Sequence, residues 1–205
     1  MYDYQLKVYR MILTMNEKRV LRFLATSTGK DYSINDIAKA CELTPNGAYK
    51  LLVKMEKETV LKVKPIANLK AYKLDFESEK TARVLELAFI SDALEGRIRM
   101  RAEDLTQLKA ATKACVLFGS YITTKKEPGD LDVFFVLERK NFEAYKQALS
   151  KVQDITPVKI QDVVQTTGDV EQNLKKGDPI VVAALREGIV LWGFDVLVQV
   201  IKNAS

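Results

Sequence analysis

The sequence contains no histidine among its 205 residues and only two cysteines, Cys41 and Cys115. The lack of histidine excludes imidazole bases, Ser-His triads and ordinary zinc sites, so any metal chemistry has to use carboxylates, which suit Mg²⁺ or Mn²⁺. The two cysteines are too few and too widely separated for a disulfide framework. Both lie near apolar residues, which indicates small core side chains.

Long apolar runs are also absent. The longest, from Val84 to Ile90, is interrupted by Glu86 and is too short to span a membrane. The first ten residues lack the apolar core of a secretory signal. Apolar residues make up 47% of the chain and charged residues 29%, as in ordinary globular proteins. We therefore expect a cytoplasmic protein without a membrane partner.

The net charge of +5 is concentrated at one end of the chain. Residues 1–75 contain 14 Lys and Arg against 8 Asp and Glu, a net charge of +6. Residues 76–205 contain 18 against 19, a net charge of −1. Because the whole basic excess lies in the first third of the chain, this part is expected to meet a polyanion.

The first third has the pattern of three helices followed by a hairpin. Three helix starts are predicted from capping residues: Asn16, Ser33 (with Asp36 completing a capping box) and Thr44 (followed by Pro45). Two short strands follow between Val60 and Leu74, with a turn near Ala67-Asn68.

This order of elements resembles the winged helix-turn-helix of prokaryotic transcriptional regulators over residues 14–75. The resemblance implies that the start of the third helix reads double-stranded DNA in the major groove and that lysines of the hairpin contact the backbone. The implied DNA-binding residues are Thr44, Asn46, Tyr49, Lys50, Lys54, Lys64 and Lys70, with Gly47 allowing close approach and Lys62 and Lys73 flanking the wing. The alternative is that these lysines are a solvated face of a domain used for protein contacts.

Residues 77–110 read as a helical connector. Ser78 is predicted to cap a helix that Gly96 ends or kinks, and its apolar residues cover more than one face. Such a helix is buried either between elements of one chain or in a homodimer interface. Three arginines follow, and they either pair with Glu103 and Asp104 or hold phosphates: Arg97, Arg99 and Arg101.

The segment ACVLFGSYITTKKEPGDLDVFFV begins at Ala114 and reads as two apolar strands. Gly119 and Ser120 end the first strand, and Asp130 and Asp132 open the second. Carboxylates at i and i+2 on a strand point to the same face, where their charges repel and each is partly desolvated. A pair of divalent metal ions would relieve this repulsion, and the arrangement is the one that two-metal phosphoryl transfer needs.

The combination of Gly119-Ser120, a spacer, and Asp130-Leu131-Asp132 resembles the signature of the polymerase-beta-like nucleotidyltransferases, especially their minimal prokaryotic members. The resemblance covers about residues 109–193. It implies that Gly119 and Ser120 hold the triphosphate of a nucleotide, with ATP expected, and that the two aspartates bind Mg²⁺ or Mn²⁺. Lys125 or Lys126 offers further charge to the phosphates, although a solvated loop is the simpler interpretation.

The third carboxylate of this family is expected on the strand after the DxD pair, within Ile160-Gln161-Asp162-Val163-Val164. Asp162 is the carboxylate available there, and it would complete a set of catalytic and metal-binding residues with Asp130 and Asp132. Strict alternation, however, places Asp162 on the face of Ile160 and Val164. If Gln161 takes the family position instead, the third ligand and base is missing.

The sequence thus predicts an α+β protein of two domains joined by a connector: a winged helix-turn-helix (1–76), the helical connector (77–110) and a nucleotidyltransferase-like domain with a small mixed sheet (111–205). One hypothesis is a DNA-binding enzyme that transfers a nucleotidyl group to a hydroxyl acceptor. The alternative is a transcriptional regulator whose second domain is a catalytically inactive nucleotide sensor. An assembly protein would leave the Asp130/Asp132 pair unexplained.

Overall fold

The computed structural model describes residues 13–66, 69–91, 94–123 and 128–205. The chain divides into two compact units, each described by itself: unit 1 contains residues 13–24 and 31–88, and unit 2 contains residues 25–30 and 89–205, both within the described ranges. Helices and two sheets are present, so the protein is α+β, as expected from the sequence. In the described part of the chain, no helix is long and apolar enough to cross a membrane.

Unit 1 pairs a group of helices with a small antiparallel sheet. Its elements are α1 (Met15–Ala25), β1 (Tyr32–Ser33), α2 (Ile34–Ala40), α3 (Pro45–Lys57), β2 (Leu61–Ile66), β3 (Leu69–Leu74) and α4 (Glu79–Phe89). The strand order is β1-β3-β2. The predicted turn at Ala67-Asn68 lies outside the described residues. Apolar side chains of the helices and strands are buried together, among them Leu21, Ile37, Leu52 and Tyr72.

Capping side chains determine where the helices of unit 1 begin. The predicted capping box of Ser33 and Asp36 is confirmed, and so is the Thr44 cap, whose hydroxyl accepts a hydrogen bond from the Gly47 N–H. The predicted Asn16 cap is wrong. Thr14 takes that role: its N–H donates to Glu17 Oε2 at 2.7 Å, and its hydroxyl accepts from the Glu17 N–H at 3.3 Å. Thr14-Met15-Asn16-Glu17 is therefore a capping box that the sequence already displayed.

The helix predicted to extend from Ser78 to near Gly96 is shorter than expected. It ends at Phe89, and Glu95 is extended, with φ −125° and ψ 159°, before a new helix begins at Gly96. α4 buries Val84 and Leu85 but leaves Leu87 37% exposed, so it is not buried on every side. Whether it contributes to a dimer interface stays a prediction.

A buried carboxylate links α1 to α3 inside unit 1. The Glu17 side chain is 3% exposed, and the Lys54 Nζ donates to its Oε1 at 2.6 Å. Burial alone would raise the pKa of Glu17, but the hydrogen bonds from Lys54 and Thr14 outweigh it, so the pKa is lowered. A second link ties the same helix to the end of α2, because Arg19 Nη1 donates to the carbonyl of Cys41 at 3.0 Å. These contacts help to fix α2 and α3 relative to α1.

Unit 2 is built around a four-stranded mixed sheet. Its elements are α5 (Gly96–Leu105), a 3-10 turn (Thr106–Leu108), β4 (Ala114–Phe118), α6 (Ser120–Thr123), β5 (Asp130–Val136), a 3-10 turn (Arg139–Asn141), α7 (Phe142–Ile155), β6 (Lys159–Gln165), α8 (Thr167–Lys176), α9 (Pro179–Glu187), β7 (Ile189–Trp192) and α10 (Phe194–Ala204). The strand order is β6-β5-β4-β7, with β5 and β6 parallel and the other pairs antiparallel.

The central strands β4 and β5 are buried on both faces, which explains their nearly continuous apolar sequences. One face packs on α7 through Tyr145 and Val152, together with Leu131, Val133 and Phe135. The helix α10 was not predicted, although Leu197, Ile201 and Ala204 recur at helical spacing and are buried. Asn141 precedes α7 and makes no side-chain capping hydrogen bond.

We predict that Lys54→Ala lowers the free energy of unfolding of the intact chain by about 1–3 kcal/mol at pH 7, because it leaves Glu17 buried without its cationic partner. Lys50→Ala, one turn earlier on the same helix and exposed, should change it by less than about 0.5 kcal/mol. Urea unfolding followed by circular dichroism makes the comparison.

The same pair makes this difference depend on pH. Because the pKa of folded Glu17 lies below its ordinary 4.5, its contribution is present above pH 4.5 and is lost as pH falls below that value. The stability gap between wild type and Lys54→Ala should therefore shrink in acid. A gap that stays constant from pH 7 to well below 4.5 would contradict this account of the pair.

Candidate nucleotide and metal site

Gly119 lets the end of β4 approach the start of β5 closely. Its φ is +73°, a left-handed conformation that residues with side chains disfavour. A Cβ atom added at Gly119 would lie only 2.9 Å from the Cγ atom of Asp132 and would collide with its carboxylate. Phe118 and Asp132 are partners across the antiparallel β4–β5 pair. The glycine is therefore required both by the backbone turn and by the carboxylate that lies over it.

Asp132 is partly buried beside a second carboxylate. Burial raises its pKa, the negative charge of Asp130 raises it further, and a hydrogen bond from the Ser120 N–H offsets part of the rise. Asp130 and Asp132 lie two residues apart on β5, so they share one face of the sheet, as predicted. The structure thus brings together Gly119, Ser120 and the aspartate pair where β4 ends and β5 begins.

Asp162 does not join this group, and its expected place as the third carboxylate is wrong. In the parallel pairing of β5 with β6, Asp162 is the partner of Val133 and lies on the opposite face from Asp132. Its carboxylate accepts a hydrogen bond from the Tyr145 hydroxyl at 2.8 Å. Burial of Tyr145 and this bond to a carboxylate raise the pKa of the tyrosine far above its ordinary value.

Gln161 is the partner of Asp132 in the same register and therefore faces the aspartate pair. A neutral amide at this position can donate or accept hydrogen bonds, but it cannot take a proton from an attacking hydroxyl. Within the described ranges, no group of three or more His, Cys, Asp or Glu side chains is arranged to hold a metal. The site consequently offers two carboxylates and an amide where the resemblance implied three carboxylates.

The other basic residues that the sequence suggested for binding phosphate either contact other groups of the protein or lie outside the described residues. Arg97 donates a hydrogen bond to the Tyr121 carbonyl at 3.1 Å, and its guanidinium carbon lies 5.1 Å from the centroid of the Tyr121 ring. Tyr121 directly follows Ser120 in the chain. Arg99 pairs with Glu103, and Arg101, which is buried, pairs with Asp104. Lys125 and Lys126 lie outside the described residues, so their expected role stays a prediction.

The residues predicted to contact DNA divide into exposed and paired groups. Thr44, Asn46, Tyr49 and Lys50 lie at the start of α3 and are exposed, with Tyr49 at 49%. Lys70 and Lys73 are also exposed, and like Lys50 they make no ion pair with any residue in the described part of the chain.

Lys54 and Lys64 are occupied by acidic partners. Lys54 neutralises the buried Glu17, as described above, and Lys64 Nζ lies 3.0 Å from Asp31 Oδ2. Lys62 is shared between Asp75 and Glu77 at 3.6 Å and 3.5 Å. The lysines predicted to contact DNA therefore divide into two groups: Lys54 and Lys64 have acidic partners, and Lys50 and Lys70 have none in the described part of the chain. Their contacts with DNA stay predictions.

Comparisons with known proteins leave the function open. A family of unknown function (DUF6932) matches residues 93–182, less than half of the chain. No curated protein matches. A crystal structure of a MepR mutant from a multidrug-resistant S. aureus clinical isolate is 17% identical over 71% of this chain and 81% of that chain, with a TM-score of 0.37. Human N-acetylserotonin methyltransferase (ASMT) in complex with SAM is 15% identical over 75% of this chain, with a TM-score of 0.32.

The chain covers only 44% of that methyltransferase. Both TM-scores are too low to support an argument about fold or activity. What the chain does therefore has to be argued from its own residues.

We predict that Gly119→Ala destabilises the protein by about 2–4 kcal/mol, because it combines left-handed backbone strain with the collision against Asp132. Gly177→Ala is the matched control: its φ is +71°, but nothing lies within 4 Å of an added Cβ, so it should cost only about 1 kcal/mol. Urea unfolding of both variants measures the difference. Equal costs for the two variants would contradict the close approach of Asp132 to Gly119.

Proposed function

We propose that the protein binds DNA through unit 1 and binds a nucleoside triphosphate, with Mg²⁺ or Mn²⁺, through unit 2 as a polymerase-beta-like nucleotidyltransferase domain. The observation that carries the proposal for unit 2 is the aspartate pair at the start of β5, placed beside the Gly119-Ser120 turn with the pKa of Asp132 raised. Two partly desolvated carboxylates that repel each other are stabilised most directly by a divalent cation.

The residues present fit a hard cation. Carboxylate oxygens are preferred ligands of Mg²⁺, which usually keeps several waters and shares substrate phosphates instead of filling an all-protein cage. Asp130 and Asp132 would hold the ion, which would neutralise phosphate charge when bound. The Ser120 hydroxyl is exposed beside them and would donate to a phosphate oxygen. Because α6 is only four residues long, its dipole adds little, and this contact has to come from the turn itself.

Nucleotidyl transfer joins an acceptor oxygen to the α-phosphorus, releases pyrophosphate and requires the acceptor hydroxyl to lose its proton. Gln161 cannot accept that proton, and Asp162 lies on the other face of the sheet bonded to Tyr145. This observation favours a second candidate function, in which unit 2 binds the nucleotide as a sensor and transfers it slowly or not at all. Both candidates share the same nucleotide site and differ only in turnover.

Unit 1 supports the DNA proposal through its topology and its charge. Three helices precede a β2–β3 hairpin, a short β1 strand pairs with β3, and the start of α3 is exposed, as a winged helix-turn-helix requires. Lys50 at that start and Lys70 in the hairpin are free to meet phosphate. The exposed Asn46 and Tyr49 side chains would lie nearest to base edges.

We predict that ATP binds the intact chain only when Mg²⁺ is present and that Asp130→Asn/Asp132→Asn abolishes this binding, because the ion loses both carboxylates. Isothermal titration calorimetry measures it. Asp162→Asn is the matched control, since it removes one carboxylate of the same sheet from the opposite face and should leave the affinity unchanged. Binding by the double variant, or its loss in the control, would contradict the assigned site.

The Gln161→Asp variant separates the enzyme from the sensor. It restores a carboxylate opposite Asp132, so release of pyrophosphate from ATP should rise about tenfold or more if the missing base limits turnover. A wild type that already turns over as fast as the variant would show that Gln161 does not limit the reaction and would remove the reason for preferring a sensor.

We predict that Lys50→Ala weakens binding of double-stranded DNA and lowers the slope of log K against log salt by about 1, because one phosphate contact is lost. Lys57→Ala makes the same charge change in the last turn of α3, away from Asn46, and should leave the slope unchanged. Fluorescence anisotropy over a salt series provides both slopes. An unaltered slope in the Lys50 variant would remove the basis for placing DNA at the start of α3.

A further inference from the structure

A cavity opens in unit 2 where the parallel strands β5 and β6 end. It has a volume of about 240 Å³ and lies at the opposite end of β5 from Asp130. Its apolar wall is formed by Leu137, Phe142 and Val164, and its polar wall by Arg139, Gln165 and Asp169. We refer to this cavity as the strand-end pocket. None of these residues takes part in the nucleotide site.

The apolar wall exposes aromatic and aliphatic surface on one side of the pocket. Phe142 is 39% exposed although it stacks on Tyr145, with ring centroids 6.5 Å apart. Leu137 is buried at 3% exposure, and Val164 packs against the core of the sheet. This wall therefore suits a ligand that buries a compact hydrocarbon group.

The polar wall contains an acceptor that the protein leaves unsatisfied. Gln165 Oε1 is buried and has no hydrogen-bond partner among the residues that the structure describes. A buried acceptor without a donor is unfavourable and requires one from water or a ligand. Gln165 is one of the residues that line the pocket, so a donor bound there would lie next to this side chain.

Two opposite charges complete the polar wall. Asp169 accepts hydrogen bonds from the Thr166 hydroxyl at 2.6 Å and the Thr166 N–H at 3.1 Å, both through Oδ2. These bonds, with a smaller contribution from the charge of Arg139, hold the pKa of Asp169 below its ordinary value, so it stays ionised. Arg139 itself forms no ion pair within 4.0 Å with any side chain in the described ranges.

We propose that the strand-end pocket binds a free α-amino acid with an apolar side chain. Its carboxylate would pair with Arg139, its ammonium group would donate to Gln165 Oε1 and to Asp169, and its side chain would pack on Leu137, Phe142 and Val164. A neutral hydrocarbon would leave Gln165 without a hydrogen-bond donor. A simple anion would be repelled by the carboxylate of Asp169, and a simple amine would be repelled by the guanidinium of Arg139. A zwitterion with an apolar side chain satisfies all three groups at once.

Isothermal titration calorimetry on the intact chain tests the proposal with L-leucine, L-methionine and L-phenylalanine. Each amino acid is used at up to about 10 mM, because so small a ligand is expected to bind weakly. At least one of them should bind. If L-leucine is the ligand, 3-methylbutylamine and 4-methylpentanoate, which lack its carboxylate and its ammonium group, should each bind about tenfold or more weakly. The same pair of analogues is made for whichever amino acid binds.

Variants locate the binding in this pocket. Arg139→Gln should weaken amino-acid binding about tenfold or more, whereas Lys140→Gln, the same charge change one residue later but outside the pocket, should leave it unchanged. Failure of all three amino acids to bind overturns the proposal. Equal binding of either truncated analogue overturns the zwitterion requirement, and unchanged affinity in Arg139→Gln overturns the location.

Discussion

The candidate site of unit 2 depends on two carboxylates held on one face of a strand, one of which, Asp132, lies directly over a glycine. Asp130 and Asp132 cannot move apart, because β5 is paired with β4 on one side and β6 on the other. A hydrogen bond from the Ser120 N–H also favours the position of Asp132 beside Gly119. The strand pairing therefore keeps the two like charges close together in the folded chain, and under the proposed function a bound cation would relieve their repulsion.

Unit 1 differs from unit 2 in how its charged side chains are arranged. Its basic residues do not form one uniform surface, because some of them pair with carboxylates of the same unit, as Lys54 does with the buried Glu17. Of the lysines predicted to contact DNA, Lys50 and Lys70 have no acidic partner in the described part of the chain, whereas Lys54 and Lys64 each have one. Counting lysines overestimates a phosphate-binding surface whenever a carboxylate is buried behind it, since the pair fixes one side chain in place.

Much of the fold and part of the site could be predicted from sequence. The caps at Ser33 and Thr44 and the alternation that puts Asp130 and Asp132 on one face are local rules, and they held. The position of Asp162 depends on register with a neighbouring strand, which local rules do not contain, and a one-residue shift moves a side chain to the opposite face.

Of the remaining features, two could have been predicted from the local sequence, and two depend on the tertiary structure. The Thr14 capping box and the apolar spacing of α10 were both visible in the sequence. The burial of Glu17 against Lys54 was not, because those residues meet only when α1 packs against α3. The strand-end pocket likewise combines residues from the ends of two strands and the starts of two helices.

The most direct test of the central claim is the free energy of unfolding of wild type and Asp132→Asn at pH 7, each measured in chelator and in Mg²⁺ at matched ionic strength. Because the pKa of folded Asp132 is raised above its ordinary 3.8, its charge destabilises the ion-free protein at neutral pH. The account predicts that the variant is the more stable of the two in chelator and that Mg²⁺ stabilises only the wild type. A variant that is less stable in chelator, or equal stabilisation of both proteins by Mg²⁺, would contradict a cation site at this pair.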